Sequence, residues 1–265
     1  MTSINMIKAN KSLGQNFLEN ENILKRIAGL LDPNLPVVEV GAGLGYLTRV
    51  LAAEHQVIAI EKDERFEQDL KAIKNVQVQI GDIMALDLDS ILPAKYQAVG
   101  NLPYYLEKKI IHLFFKLNNP PTKAVFLIQK EVADELCQVK LSLFALSVKF
   151  YCHPRCEFVI KKGSFKPTPK VDGRVIVLED MNYSLPFNLK REAIEKDFFR
   201  LLHFGFSSPR KKLLNNLAAG LNLEKSALQK VLIAAKIEED IRAEDIDLDC
   251  WLKLLKILNE RKSGR

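Results

Sequence analysis

The sequence predicts an α/β protein: a parallel sheet flanked by helices, followed by a small all-helical C-terminal domain. Three observations carry this. From Val37 onward, short apolar runs alternate with stretches of helical spacing, the pattern of βαβ units. The first run ends in a glycine-rich turn, with Gly41, Gly43 and Gly45. After Asp180 the strand-like runs cease and only helical periodicity remains.

The elements follow in order. VVEV at 37–40 is a compact strand, and YLTRVLAAE from Tyr46 has helical spacing. QVIAIEKD at 56–63, VQVQIGD at 76–82, YQAVGN at 96–101 and KAVFLIQ at 123–129 are further strands, with a helix, RFEQDLKAI, after the second. Leu106, Ile110, Leu113, Phe114 and Leu117 recur at three- and four-residue steps, which marks a helix. RCEFVI at 155–160 and RVIVLE at 174–179 close the strand region, separated by a proline-containing stretch too long for a tight hairpin. MNYSLPFN reads as a linker. Helical patterns then cover 189–204, 210–218, 224–235 and 250–258. The expected domains are 1–183 and 184–265. Right-handed crossovers align the carboxyl ends of the parallel strands along one edge, where such sheets bind ligands.

Composition sets outer bounds. The chain has 265 residues, 48% of them hydrophobic, enough for one large and one small domain. The net charge is +6, a mild excess compatible with nucleic acid but not diagnostic of it. No apolar segment is long enough to span a bilayer, and the opening MTSINMIKANKSLGQNFL lacks a secretory pattern. A cytoplasmic protein without membrane contact is expected. Cys137, Cys152, Cys156 and Cys250 have no pairing logic in their spacing, so four free thiols are expected. Cys152, His153 and Cys156 lack a second ligand pair nearby, so no metal is expected.

The chemistry concentrates at strand ends. Glycines 41, 43 and 45 follow a strand and open a helix, which lets the chain turn and a ligand approach the backbone. Taken alone, the loop does not separate a dinucleotide site from other nucleoside sites. Glu61 ends the second strand about twenty residues further on, where an acid accepts from both ribose hydroxyls of an adenosine. A nicotinamide dehydrogenase and a methyltransferase both fit to this point. Asp82 closes the third strand; its carboxylate can accept from an adenine amino group, with Ile83 covering the ring.

VGNLPYYL at 99–106 places an amide, a proline and two tyrosines where the fourth strand ends. The Asn101 side chain and the Leu102 carbonyl can together grip an exocyclic amine. Pro103 stiffens the turn, and Tyr104 offers a ring for a base to stack on, a contact worth roughly 1–3 kcal/mol. In GSFKPTPKVDG at 163–173, Phe165 precedes two prolines among lysines, suiting a stacked base with phosphates at its edge. In SSPRKKLLNNL, Pro209 at a helix start would put Arg210, Lys211 and Lys212 on the first turn, which the helix dipole disfavours unless an anion lies near.

Taken together, KSLGQNFL, VVEVGAGLGYLT, AIEKD, GDIMAL, VGNLPYYL, QKEVADEL and SFKPTPKVD resemble, in order, the motifs of the small-subunit rRNA adenine dimethyltransferases of the KsgA type. The resemblance runs from about residue 11 to residue 217. It implies a Rossmann-like class I methyltransferase sheet, S-adenosylmethionine as methyl donor and no metal. It implies two adjacent adenosines in the 3′-terminal hairpin loop of 16S rRNA as targets, in small-subunit biogenesis. Apart from the resemblance, a monomer is assumed, and no DNA partner is expected because no second DNA-reading domain is apparent. Residue by residue it implies that Asn16 and Leu18 line the donor site. Gly41 and Gly43 form the loop, and Glu61, Asp82 and Asn101 contact the donor. Asn101, Leu102, Pro103 and Tyr104 form the catalytic tetrapeptide, with Phe165 as the stacking ring. Three departures fall on the expected RNA side: Gly173 in place of a serine, a short stretch between Leu136 and Leu141, and FSSPRKK in place of a more basic version. The rival readings are a 23S rRNA adenine methyltransferase of the resistance type and an assembly factor that acts mainly by binding.

Overall fold

The structure is a computed structural model that describes residues 9–10, 13–181 and 183–263. Lys11 and Ser12 of the first motif, residues 1–8 of the opening segment and Asn182 of the expected linker lie outside the described residues.

The chain divides into two compact units, Met1–Asp134 with His153–Met181, and Glu135–Cys152 with Asn182–Arg265. The first holds a seven-stranded sheet in the order β4-β3-β2-β5-β6-β9-β7. Its parallel strands are β2 (Val37–Val40), β3 (Val57–Glu61), β4 (Val76–Ile80), β5 (Gln97–Asn101) and β6 (Lys123–Gln129). β9 (Gly173–Glu179) runs antiparallel to both β6 and β7 (His153–Ile160). A separate antiparallel pair joins β1 (Phe17–Leu18) to β8 (Phe165–Lys166), matching Leu18 with Phe165.

The central strands β2, β3, β5, β6 and β9 are buried on both faces because both faces are covered, whereas the edge strands β4 and β7 are partly exposed. Val37, Val57, Ala59, Val99, Val125, Leu127, Val175 and Val177 share one core with Leu24 and Ile27 of α1 (Glu21–Ala28), Leu47 and Leu51 of α2 (Tyr46–Leu51), and Leu70 of α3 (Glu67–Lys71). Alternate strand residues point the other way. There Phe126 packs on Phe114 of α5 (Glu107–Phe115), ring centroids 5.7 Å apart. The chain enters the sheet at β2, runs outward through β3 and β4, and returns to β5 on the other side of β2. The switch point of the order is therefore the β2–β5 boundary, where open α/β sheets hold their ligands.

The second unit is helical. Its α7 (Leu143–Lys149) leads to Phe150, which stacks on Phe198 of α8 (Arg191–Gly205) at 4.4 Å, while Tyr151 stacks on Phe199. This aromatic cluster explains why 135–152 groups with the C-terminal helices, whereas the sequence reading draws one cut at 183. The unit is completed by α9 (Leu213–Leu221), α10 (Lys225–Ala235) and α11 (Leu248–Ser263).

The seven expected sheet strands are present within a few residues of their expected bounds. Helix α1, α6 (Lys130–Cys137) and α7 were not anticipated, and α4 (Leu88–Ile91) is a single turn. Two expectations are corrected. Helix α9 begins at Leu213, with Lys212 as its uncapped N-cap and paired to Asp240, so Arg210 and Lys211 lie in the preceding turn and not on the helix. Cys152 and Cys250 are free thiols, but Cys137 and Cys156 are disulfide-bonded; spacing along the chain carries no information on which thiols the fold brings close. Among the described residues, no helix is long and apolar enough to cross a membrane, and no cluster of His, Cys, Asp and Glu could hold a metal ion.

Candidate active site

At the carboxyl ends of β2, β3, β4 and β5 lies a cleft of about 790 Å³, counting its open mouth. This falls in the range of small-molecule sites. Its floor is the glycine loop. Gly41, Gly43 and Gly45 all have left-handed backbones, with φ of +73°, +52° and +75°. A Cβ at Gly43 would stand 3.0 Å from the Phe17 ring, so only glycine lets β1 close over the loop.

Glu61, at the end of β3, is 6% exposed. It accepts from the Gly43 N–H through Oε2 at 2.7 Å and from the Asp63 N–H through Oε1 at 2.8 Å. Burial raises its pKa, against these two bonds. Each oxygen keeps a lone pair for a ligand hydroxyl. Asp63 is held at about 2 by Arg65, and it also accepts from Gln15 at 2.8 Å. This ties the segment before β1 to the end of β3.

Asp82 follows β4. Its Oδ1 accepts from the Met84 N–H at 2.9 Å, and its Oδ2 pairs with Lys62 Nζ at 2.8 Å. The lysine first and the Met84 N–H second hold the carboxyl below its ordinary range. Ile83 lines the cleft beside it.

Asn101 ends β5 across the switch point. Its Nδ2 donates to the Asn16 carbonyl at 2.8 Å. A carbonyl can only accept, so this bond fixes the amide orientation and leaves Oδ1 as the group's acceptor. Asn16 in turn donates from Nδ2 to the Gly14 carbonyl. Leu102 anchors its side chain in the core and donates its N–H to Leu127, while the Pro103 carbonyl accepts from Leu106 to close the turn into α5. Tyr104 lines the cleft, and its buried hydroxyl has no hydrogen-bond partner among the described residues. Burial pushes that phenol up to about 12, so it stays protonated.

The structure thus brings Asn16, Gly41, Gly43, Glu61, Asp82 and Asn101 through Tyr104 to one cleft. Two expected residues stand elsewhere. Leu18 is buried and lines a smaller pocket behind the glycine loop. Phe165, read from sequence as a ring ready to close on a base, is 1% exposed and belongs to the core. It fits there because position 173 is glycine: a Cβ at Gly173 would approach its ring to 3.3 Å and a Leu127 methyl to 2.8 Å.

Sequence reasoning missed Gln15, Phe17, Lys62 and Tyr105 among the lining residues. It also missed Glu39, buried in β2 with its Oε2 unpartnered; burial pushes its carboxyl up to about 8. An acid inside a four-residue apolar strand was the available signal.

Comparison with known proteins agrees with this geometry. A ribosomal RNA small subunit methyltransferase A from Dehalococcoides mccartyi (strain CBDB1) is 35% identical over 260 residues, covering 94% of this chain and 88% of the relative. Its counterpart from Desulfitobacterium hafniense (strain DSM 10664 / DCB-2) is 37% identical over 254 residues, covering 91% and 89%. Two crystal structures share the fold at 24% identity. The 23S rRNA methyltransferase ErmE has a TM-score of 0.75 over 92% of this chain and 100% of that one. A dimethyladenosine transferase from Plasmodium falciparum has a TM-score of 0.74 over 93% and 98%. Residues 6–260 match the profile of the family described as ribosomal RNA adenine dimethylase. With the glycine loop, the two strand-end acids and the Asn101 turn gathered at one switch point, the chain belongs to the ribosomal RNA adenine dimethylase family.

Proposed function

We propose that the protein moves methyl groups from S-adenosylmethionine to the exocyclic amines of two adjacent adenosines in the 3′-terminal hairpin loop of 16S rRNA, acting as a monomer on the small subunit or its precursor. The carrying observation is the Asn101 amide, turned by its bond to the Asn16 carbonyl so that its oxygen is left as the acceptor, in the lining of the cleft that also holds Glu61 and Asp82.

The residues present fit the donor. Glu61 would accept from the ribose hydroxyls and Asp82 from the adenine amino group. The left-handed glycines give the methionine end close access to the backbone. When bound, S-adenosylmethionine supplies an electrophilic methyl on a positively charged sulfur.

On the target side, the Asn101 oxygen and the Leu102 carbonyl accept from the two amine hydrogens. That favours a localised nitrogen lone pair and holds nitrogen in line with the methyl, a positioning gain that can be large. The methylated amine would carry one extra proton, which would leave to water afterwards. Asn101 serves as acceptor without adding a full charge, so no strong base is needed before attack. Tyr104 supplies a stacking face. Phe165 would stack on the opposite face only by leaving its place beside Gly173; where it stands, it holds β8 against β1 and so steadies Asn16 and Phe17.

The test is incubation with labelled S-adenosylmethionine and unmethylated 30S or 50S subunits, followed by nucleoside analysis. Dimethyladenosine confined to 16S rRNA is the expected result. Label in 23S rRNA would transfer the protein to the other adenine-methylating branch. Tight 30S binding without label would leave a binding factor.

A further inference from the structure

The proposed reaction depends on which way the Asn101 amide faces. Its Nδ2 donates to the Asn16 backbone carbonyl at 2.8 Å, across 85 positions of the chain. Turned over, the amide would set its own NH₂ against the hydrogens of the target amine, donor against donor. What fixes the Asn16 carbonyl therefore fixes the acceptor.

Asn16 is anchored on both sides along the chain. After it, Phe17 and Leu18 pair with Lys166 and Phe165, and the Phe17 ring meets Phe66 edge to face at 5.9 Å. Before it, Gln15 Nε2 donates to Asp63 Oδ2 at 2.8 Å, and Gln15 Oε1 accepts the Asn10 N–H at 2.7 Å. An ionised carboxylate only accepts, so the glutamine amide can face Asp63 one way. Asp63 already has a counter-ion: Arg65 binds both of its carboxylate oxygens. The glutamine is thus not needed to neutralise the acid; what it adds is a fixed point for the segment that carries Asn16. Asp63 is itself tied down by its N–H, which donates to Glu61 Oε1 at 2.8 Å. A continuous run of bonds therefore links the end of β3 to the end of β5, through Glu61, Asp63, Gln15, the Gln15–Asn16 peptide and Asn101.

We propose that Gln15 is a positioning residue for methyl transfer: docked on Asp63, it places the Asn16 carbonyl and, through it, turns the Asn101 oxygen toward the target amine. It acts through Asn101 and touches none of the reacting atoms. This inference rests on the reaction given under Proposed function. Gln15 also lines the cleft, so direct contact with the donor is the rival role, and a rate measured apart from affinity distinguishes the two.

The test is a double-mutant cycle in single-turnover methyl transfer to unmethylated 30S subunits at saturating S-adenosylmethionine, with wild type, Gln15→Ala, Asn101→Ala and the variant carrying both. Gln15→Ala should slow transfer about tenfold, short of the roughly 10²-fold that an ångström of misplacement can cost. In the Asn101→Ala background the same substitution should cost less than about twofold, because the group it positions is gone. In isotope-labelled protein, the Asn101 side-chain NH₂ signals, identified by their loss in Asn101→Ala, should move in Gln15→Ala toward those of a solvated amide; this readout needs no turnover. An unchanged rate in Gln15→Ala overturns the proposal. So does a similar loss in both backgrounds, since Gln15 would then act apart from Asn101. So does weaker S-adenosylhomocysteine binding with an unchanged rate at saturation, the mark of a direct donor contact. Unmoved Asn101 signals overturn it too, even where the rate falls. If wild type labels no RNA, the proposed reaction falls, and this inference with it; an additive cycle in an active enzyme removes only the positioning role.

Discussion

The two sides of the cleft are built on opposite plans. On the β3–β4 side every acid already has partners: Glu61 holds two backbone N–H groups, Asp63 holds Arg65 and Gln15, and Asp82 holds Lys62 and Met84. On the β5 side the polar groups are few and less committed. Asn101 is oriented by one bond through its nitrogen, and the buried Tyr104 hydroxyl has no partner among the described residues. A preformed wall, whose acids are oriented by their own bonds and keep acceptor sites free, suits a small ligand that must enter one way. A wall with an unmet hydroxyl suits a partner that arrives with its own polar groups, as RNA does. Under the proposed function, this contrast would give affinity for the donor to one side and the chemistry to the other.

The largest expected effect tests that division directly. Asn101→Ala should cut methyl transfer by about 10²–10³, the range seen when one positioned polar group is removed from a reacting centre. S-adenosylhomocysteine affinity should stay within about threefold, since most of the donor's polar contacts lie across the cleft. Undiminished single-turnover rates would sink the proposed amine cradle.

Next comes Glu61→Gln. Both Glu61 oxygens receive backbone N–H groups, and a glutamine can accept from only one of them; its own NH₂ then faces the other donor. Donor affinity should fall about 10- to 100-fold by titration, with the rate at saturating donor much less affected. A fall in rate with unchanged affinity would reverse the assignment of the two walls.

Glu39 lies in β2, between the two sides, and offers a probe of the scaffold itself. Its carboxyl titrates near 8 when folded, against about 4.3 in an unfolded chain. Between those values the folded state holds a proton that the unfolded state has lost, so Glu39 makes stability fall as pH rises through that window. Glu39→Gln is neutral throughout. In urea titrations its unfolding free energy should match wild type near pH 4 and exceed it by roughly 1–3 kcal/mol at pH 8. Parallel pH curves for the two proteins would show that the buried acid is not protonated.

How much of this was legible in the sequence follows from range. The parallel strands and their order of appearance were legible because each is a short apolar run bounded by turn residues, a local pattern. Asn101, Glu61 and Asp82 were legible because each sits at a strand end, where sheet topology gathers residues. Contacts between distant segments were not. Nothing local links Gln15 to Asp63, or marks Lys62 as the partner of Asp82 and not a solvated charge. Phe165 shows the limit most clearly. Its flanking prolines and lysines suit a ring held ready to stack on a base, but β8 pairs with β1, and Gly173 leaves room beneath it, so the ring is enclosed. The same glycine had been noted only as a departure from the family pattern; its packing consequence depends on Leu127, which comes from another strand.

The smallest effect sharpens the comparison most. Tyr104→Phe removes the buried hydroxyl that has no partner in the free protein. Leaving a buried hydroxyl unpaired is unfavourable, so the variant should be as stable as wild type or more stable, by up to about 1 kcal/mol in a urea titration. The ring remains, so stacking is retained. If the hydroxyl is held in reserve for the incoming nucleotide, Tyr104→Phe should weaken binding to unmethylated 30S subunits by roughly three- to tenfold, the worth of one hydrogen bond, and leave S-adenosylhomocysteine affinity unchanged. A gain in stability paired with a loss confined to RNA is the signature of a group placed for a partner. Loss of stability instead would mean that the hydroxyl is satisfied in the free protein, and the contrast between the two walls would then rest on Asn101 alone.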